Sequence, residues 1–305
     1  MSTSSDAAAI RAARFRTLSD LPMEETAKDG GGYSLVGSLK EILGRREMLG
    51  LMVRRDLKAR YKDSSLGFFW SLVRPLTQLA IYYVVLGQFL GAARGIPDFA
   101  IYVFTGLTAY TLFSEIVLGG AGSIVGNAGL VKKIYLPREI FPLASIGSAI
   151  FNFAIQLGIL LLATLVLGAF PIHAGLAYFF PSLAILLVFG AALALLLAAI
   201  NVFLRDVQYL IEVVVMLLMW ASPIVYSWSM VKSVVQPWVL DLYTNNPITL
   251  AVLGFQKAFW TAGADASYPD DLLLRQGIAI LVGLVGLVAA HAVFNRMQGD
   301  FAQAL

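Results

Sequence analysis

The sequence contains no cysteine and only two histidines among its 305 residues. The absence of cysteine excludes disulfide bonds, thiolate metal sites and cysteine nucleophiles. The two histidines, His173 and His291, lie far apart in the sequence, which disfavours a zinc or iron site. The GxxxxGK[ST] motif of a phosphate-binding loop is also absent from the sequence. We therefore expect no catalytic residues, no metal site and no cofactor bound by this chain.

Charged residues are scarce, since they make up 13% of the chain against about 25% in a typical soluble domain. Apolar residues make up 59%, and the mean hydropathy is +0.78. A membrane-spanning helix needs about 20 predominantly apolar residues. The sequence therefore predicts an all-α polytopic membrane protein with six transmembrane helices, at about Leu66–Leu90, Phe99–Val125, Ser145–Phe170, Ala177–Phe203, Val207–Trp228 and Leu272–Phe294.

Lysine and arginine are distributed unevenly between the two sides of these predicted spans. With the N-terminus inside, the cytoplasmic side receives twelve cations before the first span and five more later: Lys132, Lys133, Arg138, Arg205 and Arg296. The outer side receives Arg94, Lys232, Lys257 and Arg275. Because cytoplasmic loops carry an excess of cations, both termini are predicted to be cytoplasmic.

The N-terminal part of the chain divides into two segments. Residues 1–32 are polar and lack the apolar core of a signal peptide, so they are predicted to form a flexible cytoplasmic tail ahead of a membrane domain at 33–305. Residues 38–60 carry apolar and cationic side chains on different faces of a helix. We expect this helix to lie in the headgroup layer and contact membrane lipids.

The long outer loop Ser229–Asp271 carries apolar residues at helical spacing, interrupted at Asn246-Pro247. This pattern predicts two short helices that re-enter the membrane, where protein or a water-lined cavity must cover the non-helical backbone. The alternative is a pair of surface helices at the membrane interface. Before this loop, Ser222-Pro223 predicts a break in the fifth span.

Ionisable residues inside the predicted spans are limited to Arg74, Glu115 and Glu212. Such residues are functional candidates, but a proton- or sodium-coupled transporter usually needs more acids. Arg74 either faces a polar cavity or extends to the inner interface. Aromatic residues are abundant in the first two spans, where they form an interfacial belt and core packing or line a path for sugars.

Two features of the inner loops are candidates for contact with a partner. The loop Leu130–Pro142 combines cations with apolar residues, which is typical of a short helix that docks on another protein. Arg205-Asp206 forms a tight turn between the fourth and fifth spans. This turn either provides a second contact with the partner protein or only joins the two helices.

The chain resembles the membrane subunit of ABC-2 type exporters that move lipid-linked polysaccharides such as O-antigen, capsule, teichoic acid and galactan. The resemblance rests on four motifs in the family's order: RRDLKARYKDSSLGFFWSLVRPL (54–76), LVKKIYLPREIFPL (130–143), NVFLRDV with SPIVY (201–226), and NNP (245–247). It covers nearly the whole chain after residue 38. The long polar N-terminal tail departs from the family pattern.

The resemblance implies a transport subunit, not an enzyme, in the bacterial inner membrane. Its implied partners are a second copy of the chain, two separate ATPase subunits that bind ATP and magnesium, and a polyprenyl-linked polysaccharide; nucleic acid is not among them. The implied ATPase-coupling residues are Lys132, Lys133, Ile134, Tyr135, Leu136, Pro137 and Arg138, with Arg205 and Asp206. The implied conduit residues are Phe68, Phe69, Trp70, Arg74, Tyr82, Tyr83, Tyr102 and Tyr110, and the implied outer gate is Pro223, Asn246 and Pro247.

Two alternatives to the export permease remain at this point. A secondary transporter or drug-type ABC permease would move a smaller lipid or solute, and a membrane-embedded glycosyltransferase would need an acid cluster or metal site. The first outer loop, Gly91–Asp98, is too short for the outer domain of a drug-type permease. The alanine- and glycine-rich composition favours an actinobacterial galactan exporter, with O-antigen and teichoic acid as alternatives.

Overall fold

In a computed structural model of the chain, the described residues are Gly37, 44–61, 70–89, 91, 94–133, 136–263 and 266–305. Within these ranges the chain forms helices joined by turns, and no strand is present. The all-α prediction is therefore confirmed. The predicted tail at 1–32 lies outside the described residues.

Twelve α-helices are described, numbered here in chain order. They are α1 (Arg46–Tyr61), α2 (Trp70–Ile81), α3 (Phe99–Gly126), α4 (Ala128–Val131), α5 (Ile140–Val166), α6 (Phe179–Phe203), α7 (Val207–Trp220), α8 (Trp228–Val234), α9 (Pro237–Thr244), α10 (Pro247–Phe259), α11 (Leu272–Met297) and α12 (Phe301–Ala304). A π-helix at Tyr82–Phe89 continues α2, and 3₁₀ turns lie at Ala174–Tyr178, Thr261–Gly263 and Gln298–Asp300.

Four helical segments are long and apolar enough to cross a membrane: Phe99–Gly126, Ile140–Val166, Ala174–Phe203 and Leu272–Ala304. This confirms a multi-pass membrane protein. The fifth apolar helix, α7, has 14 residues and is about 21 Å long, which is shorter than the ~30 Å hydrocarbon core. Helix α2 and its π-helical continuation cover only Trp70–Phe89 of the predicted first span. The count of six spans therefore stays a prediction.

Two predicted boundaries differ from the observed helices. The fifth span was expected to reach Trp228, but α7 ends at Trp220, because Pro223 cannot donate a backbone hydrogen bond and does not fit a helix interior. The third span was expected at Ser145–Phe170, but α5 runs from Ile140 to Val166. It ends there because Gly168 adopts a left-handed conformation with φ of 69°, and the Ala169 N–H donates to the Thr164 carbonyl.

Helix α3 lies at the centre of the bundle and contacts α2, α5, α6, α7 and α10. It approaches α6 closely at Gly120, where a Cβ atom would lie 2.4 Å from the Ala194 Cβ and 2.9 Å from the Ala194 Cα. A Cβ atom at Gly190 on α6 would lie 2.8 Å from the Ile116 Cγ2. These glycines let the two helix backbones pack directly against each other. Helix α11 packs on another side of α6, so α6 connects the centre to the periphery.

Helix α1 packs against α5 and does not lie free of the bundle. Met52 is buried, and a Cβ atom at Gly147 would lie 2.8 Å from the Val53 Cγ2. Arg54 and Arg55 stay exposed on the other face. A helix is thus present from Arg46 onward within the predicted segment 38–60, while residues 38–43 lie outside the described residues. Its location at the membrane interface stays a prediction.

The connections between helices gather at two ends of the bundle. The turns after α3 and α6 and the C-terminal α12 lie at one end, here called the inner end from the predicted orientation. The connections before α3, after α5 and between α7 and α11 lie at the opposite, outer end. Two hydrogen bonds join the outer connections: Trp260 Nε1 to the Pro97 carbonyl at 2.7 Å, and Thr261 Oγ1 to the Ala169 carbonyl at 3.3 Å.

Candidate functional site

At the outer end, the chain between α7 and α8 leaves the helical conformation over residues 221–227, here called the outer break. The Pro223 carbonyl lies 2.9 Å from the Tyr102 hydroxyl and 2.6 Å from the Gln256 Nε2. The same Tyr102 hydroxyl lies 2.7 Å from the Tyr226 carbonyl. A tyrosine hydroxyl carries one proton, so Tyr102 donates to one of these carbonyls at a time. Side chains of α3 and α10 therefore hold the outer break in place.

Helix α10 is almost completely buried, although it belongs to the loop that the sequence placed outside. It packs between α3 and α6 and also contacts α11. Asn246 caps its first turn, since the Asn246 Oδ1 accepts from the Ile248 N–H at 3.0 Å, and Pro247 occupies the first helical position. Three residues after Asn246, Thr249 Oγ1 lies 3.5 Å from the Ala221 carbonyl. The predicted gate residues Pro223, Asn246 and Pro247 thus belong to one packed assembly.

Helices α8 and α9 differ from α10 because most of their side chains are exposed. The long outer loop therefore contains three short helices, not the two that were predicted, because Pro237 starts a new helix after Val234. Trp228 Nε1 donates to Thr244 Oγ1 at 2.9 Å and joins the start of α8 to the end of α9.

A chain of hydroxyl groups secures the outer break on the side of α9. The Tyr226 hydroxyl donates to the Trp220 carbonyl at 2.6 Å, and the Tyr243 hydroxyl donates to the Tyr226 oxygen at 3.3 Å. A tyrosine hydroxyl keeps its proton at neutral pH, so both groups act as hydrogen-bond donors.

At the inner end, the loop predicted to contact an ATPase follows the short helix α4. Lys132 and Lys133 are exposed, while Leu136, Pro137 and Arg138 are half-buried. Ile134 and Tyr135 lie outside the described residues. The loop therefore presents two cations to the surroundings while its second half packs against the bundle.

The packed half of this loop rests on the C-terminal helix α12. The Arg138 guanidinium lies 5.8 Å from the centre of the Phe301 ring, a cation–π contact. Phe301 is fully buried and packs on Phe294 of α11 at 5.5 Å and on Phe203 of α6 at 6.0 Å between ring centres. Phe301 thus links the inner loop to two long helices.

Arg205 and Asp206 are exposed in the turn between α6 and α7, at the same inner end. The turn is fixed by Asn201, whose Nδ2 donates to the Ala121 carbonyl of α3 at 2.9 Å. The same Nδ2 lies 3.4 Å from the Gln208 Oε1 at the start of α7. These bonds hold the fourth and fifth predicted spans together where they meet.

The predicted conduit residues fall into different environments. Phe68 and Phe69 and the side chains of Trp70 and Arg74 lie outside the described part of the structure. Tyr110 is buried, and its hydroxyl donates to the Val215 carbonyl of α7. Tyr82 is half-buried, with its hydroxyl 3.9 Å from the Met219 Sδ, whereas Tyr83 is 40% exposed. Tyr82, Tyr102 and Tyr110 therefore fasten α7 and the outer break, and Tyr83 points outward.

Helix α7 is held by these contacts but is otherwise poorly covered by the rest of the chain. Only Ile211 and Val215 of its fourteen residues are buried. Tyr209 is 71% exposed, and the Glu212 carboxylate is exposed about 7.5 Å along the helix axis from Val207. Glu115 on α3 differs, since its Oε2 accepts from the Asn152 Nδ2 at 2.7 Å within the bundle. A carboxylate on an apolar helix surface needs polar surroundings that lipid does not supply.

Two glutamines at the outer end were missed by the sequence reasoning. Gln256 holds the Pro223 carbonyl, and the Gln276 Nε2 donates to Ser182 Oγ at 2.8 Å and to the Leu250 carbonyl at 3.1 Å. The second set of bonds joins α11, α6 and α10. In the sequence, each glutamine stands out as an amide side chain within an apolar helical run. Because burial of an unpaired amide is unfavourable, such a residue indicates a hydrogen-bonded contact between helices.

Comparison with known proteins adds three findings. The model of the ABC-2 type transporter family matches residues 47–260. The O-antigen export system permease protein RfbA of Myxococcus xanthus is 29% identical over 274 residues, which cover 89% of this chain and 100% of that protein. The O-antigen export system permease protein RfbA of Klebsiella pneumoniae is 26% identical over 260 residues, which cover 85% of this chain and 95% of that protein.

A shorter match is to the polysialic acid transport protein KpsM of Escherichia coli. It is 31% identical over 78 residues, or 25% of this chain and 30% of that protein. The family match and the names of these relatives confirm the resemblance that the sequence motifs indicated.

Proposed function

The chain belongs to the ABC-2 type transporter family, and we propose that it is the permease subunit of an ATP-driven exporter that moves a lipid-linked polysaccharide from the cytoplasm across the bacterial inner membrane. The observation that carries this proposal is the extent of the similarity to the Myxococcus xanthus permease, which includes the whole of that protein. An O-antigen-type polymer fits the two relatives that align with most of this chain, since both are O-antigen export permeases. A galactan stays a prediction from composition.

The proposed complex contains two copies of this chain and two separate ATPase subunits. The ATPase subunits bind ATP and magnesium and contact Lys132 and Lys133, which are the exposed cations of the inner loop. Arg205 and Asp206 supply a second contact surface at the same end. Both chain termini are cytoplasmic in this arrangement, and α2 and α7 complete a set of six spans.

The conduit is proposed to lie between the two copies, against the uncovered face of α7. The π-helical continuation of α2 lies beside α7, since Tyr82 approaches Met219, and both segments contact α3. The exposed residues of these two segments include Tyr83, Gln88, Tyr209 and Glu212. Polar groups in this position are stabilised by water or by a second protein surface, and not by hydrocarbon.

The outer gate is proposed to consist of the outer break and α10, which re-enters the membrane from the outer side. The burial of α10 among α3, α6 and α11 supports a re-entrant position of this helix over a position on the membrane surface. Non-helical backbone at membrane depth must be covered by protein, and the contacts of Tyr102 and Gln256 provide that cover for Pro223.

The export function is tested by deleting the gene in its own host and separating lipid-linked polymer into inner and surface pools. We expect the polymer to accumulate in the cytoplasmic leaflet and to disappear from the surface. Re-expression of the unaltered chain should restore export. Normal surface polymer in the deletion strain, together with altered distribution of a smaller lipid, would favour the alternative of a small-lipid transporter.

The proposed interface is tested by cross-linking, which the absence of cysteine makes simple. Single cysteines are introduced at Val213 on the exposed face of α7 and at Leu281 on α11, where the side chain is 65% exposed. We expect a short bis-maleimide to join two copies through position 213 and not through position 281. Equal cross-linking at the two positions would contradict an interface at α7.

A further inference from the structure

A cavity of about 310 Å³ lies at the outer end, within a single copy of the chain. Its walls come from Gly95–Pro97 before α3, from Ser227–Ser229 at the start of α8, and from Ala266–Tyr268 before α11. Its remaining wall includes Tyr102, Gln256 and Trp260. Helices α2 and α7 contribute none of the described lining residues, whereas Tyr102, Ser227 and Gln256 also belong to or hold the proposed outer gate, so the cavity lies beside that gate.

The cavity has the dimensions of a small ligand pocket, since such pockets usually measure about 300–1,000 Å³. Gly95, Ser229 and Ser267 line it and are exposed, which opens it to the outer surface. A ligand could therefore enter from outside without movement of the buried helices.

The aromatic lining is held in a fixed arrangement. Trp228 Nε1 is bonded to Thr244 Oγ1, and Trp260 Nε1 is bonded to the Pro97 carbonyl. The Trp260 ring also meets the Tyr102 ring edge to face, with 4.8 Å between ring centres. Because both indole N–H groups have partners, the rings offer apolar surface and not hydrogen bonds.

Polar groups accompany these rings, and none of the described lining residues is charged. The Tyr268 hydroxyl is buried and has no hydrogen-bond partner among the described residues. Burial also raises the pKa of Tyr268, so the hydroxyl stays protonated and available as a donor. An unpaired buried hydroxyl is unfavourable, and a bound polar group would remove that cost.

We propose that this cavity binds a neutral sugar unit from the outer side. A pyranose ring has an apolar face that suits the Trp228 and Trp260 rings, and its hydroxyls can pair with Tyr268 and with the Gln256 amide. A lipid acyl chain would leave the Tyr268 hydroxyl unpaired. The ammonium groups of Lys232 and Lys257 lie 5.2 Å from the Trp228 ring centre and 5.4 Å from the Tyr268 ring centre, but neither lysine is among the described lining residues, so an acidic sugar would find no ion-pair partner in the lining. The proposal goes beyond the export function, because it assigns a ligand site to a single copy of the chain, and binding there needs no ATPase.

The test uses the purified full-length chain in lipid nanodiscs and follows tryptophan fluorescence. The probes are methyl β-galactopyranoside and methyl α-mannopyranoside, with glucuronate as their charged counterpart. We expect saturable changes with at least one neutral glycoside and none with glucuronate. Absence of saturable binding by both neutral glycosides would overturn the proposal, and so would equal binding of glucuronate.

Two variants separate this site from adventitious binding. Tyr268→Phe removes only the hydroxyl and should weaken binding by about two- to tenfold, the usual range for one hydrogen bond. Tyr178→Phe is the matched control, because both tyrosine rings contact the Lys257 ammonium group but Tyr178 does not line the cavity. Its affinity should equal that of the unaltered chain.

Ala266→Phe places a ring in the cavity and should abolish binding while the chain still folds, since Ala266 is only half-buried. Unchanged affinity in Tyr268→Phe, or binding that survives Ala266→Phe, would refute the site. These measurements involve neither ATP nor export, so a negative result leaves the proposed export function untouched.

Discussion

Replacement of Tyr102 by phenylalanine tests whether side chains of α3 and α10 jointly hold the outer break. The substitution keeps the buried ring and its contact with Trp260, and it removes only the hydroxyl. The Pro223 carbonyl keeps Gln256 as a donor, whereas Tyr102 is the donor described for the Tyr226 carbonyl. A buried acceptor left without a partner costs about 1–3 kcal/mol. We expect Tyr102→Phe to destabilise the chain by this amount.

A double-mutant cycle with Gln256→Leu makes the test sharper. Because Tyr102 carries one proton, each single variant leaves one of the Pro223 and Tyr226 carbonyls without a donor, and the double variant leaves both without one. The double variant should therefore lose about the sum of the two single losses, each of about 1–3 kcal/mol. A double variant no less stable than Tyr102→Phe would show that Gln256 does not help to hold the outer break.

The assay is thermal unfolding in one detergent at one scan rate, because membrane-protein unfolding is often irreversible and its apparent Tm depends on the rate. A loss of 1 kcal/mol lowers Tm by about 2 °C in a chain of this size. Tyr209→Phe is the control, since Tyr209 is 71% exposed and should leave Tm nearly unchanged. Equal Tm values for the two tyrosine variants, or a double variant as stable as Tyr102→Phe, would refute the reasoning.

Three further predictions concern the inner end and the core. Phe301→Ala removes the ring between Arg138, α6 and α11, and it should cost about 3–5 kcal/mol in thermal unfolding assays; an unchanged Tm would contradict the role of Phe301 as a link. Combined charge reversal at the exposed Lys132 and Lys133 should leave Tm unchanged but abolish transport-coupled ATP hydrolysis by the assembled complex; normal coupling would remove these residues from the proposed contact. Gly120→Ala forces a Cβ atom to within 2.4 Å of Ala194 and should cost about 1–3 kcal/mol, whereas Gly158→Ala on α5 meets nothing within 4 Å and should be neutral or stabilising.

The long helices were predictable because their signal is local. A run of about 20 apolar residues such as Phe99–Val125 indicates a helix without knowledge of its neighbours, and the structure extends that helix by one residue, to Gly126. The Ser222-Pro223 break was also visible, because proline acts on the backbone wherever it stands. The end of α5 was missed, since it depends on the left-handed conformation of Gly168, which is one of three glycines in the predicted span Ser145–Phe170.

The candidate site was less predictable because it depends on contacts between distant parts of the chain. The sequence grouped Tyr102 and Tyr110 with aromatic conduit residues, but it could not show that their hydroxyls bond to carbonyls more than 100 residues later. Nor could it show that α10 is buried while α8 and α9 are exposed, since all three carry apolar residues at helical spacing. The cavity needs residues from four separate segments to come together.

The central position of α3 has a consequence for how the chain is made. Ribosomes add about 5–20 residues per second, so α3 emerges several seconds before α6 and α10, the helices that cover it. During that interval its polar residues Thr105, Thr108 and Glu115 lack their final surroundings, although Thr105 and Thr108 are fully buried in the finished fold. The insertion machinery must therefore shelter this helix until later segments arrive, and slow translation after Gly126 should expose it to quality-control proteases.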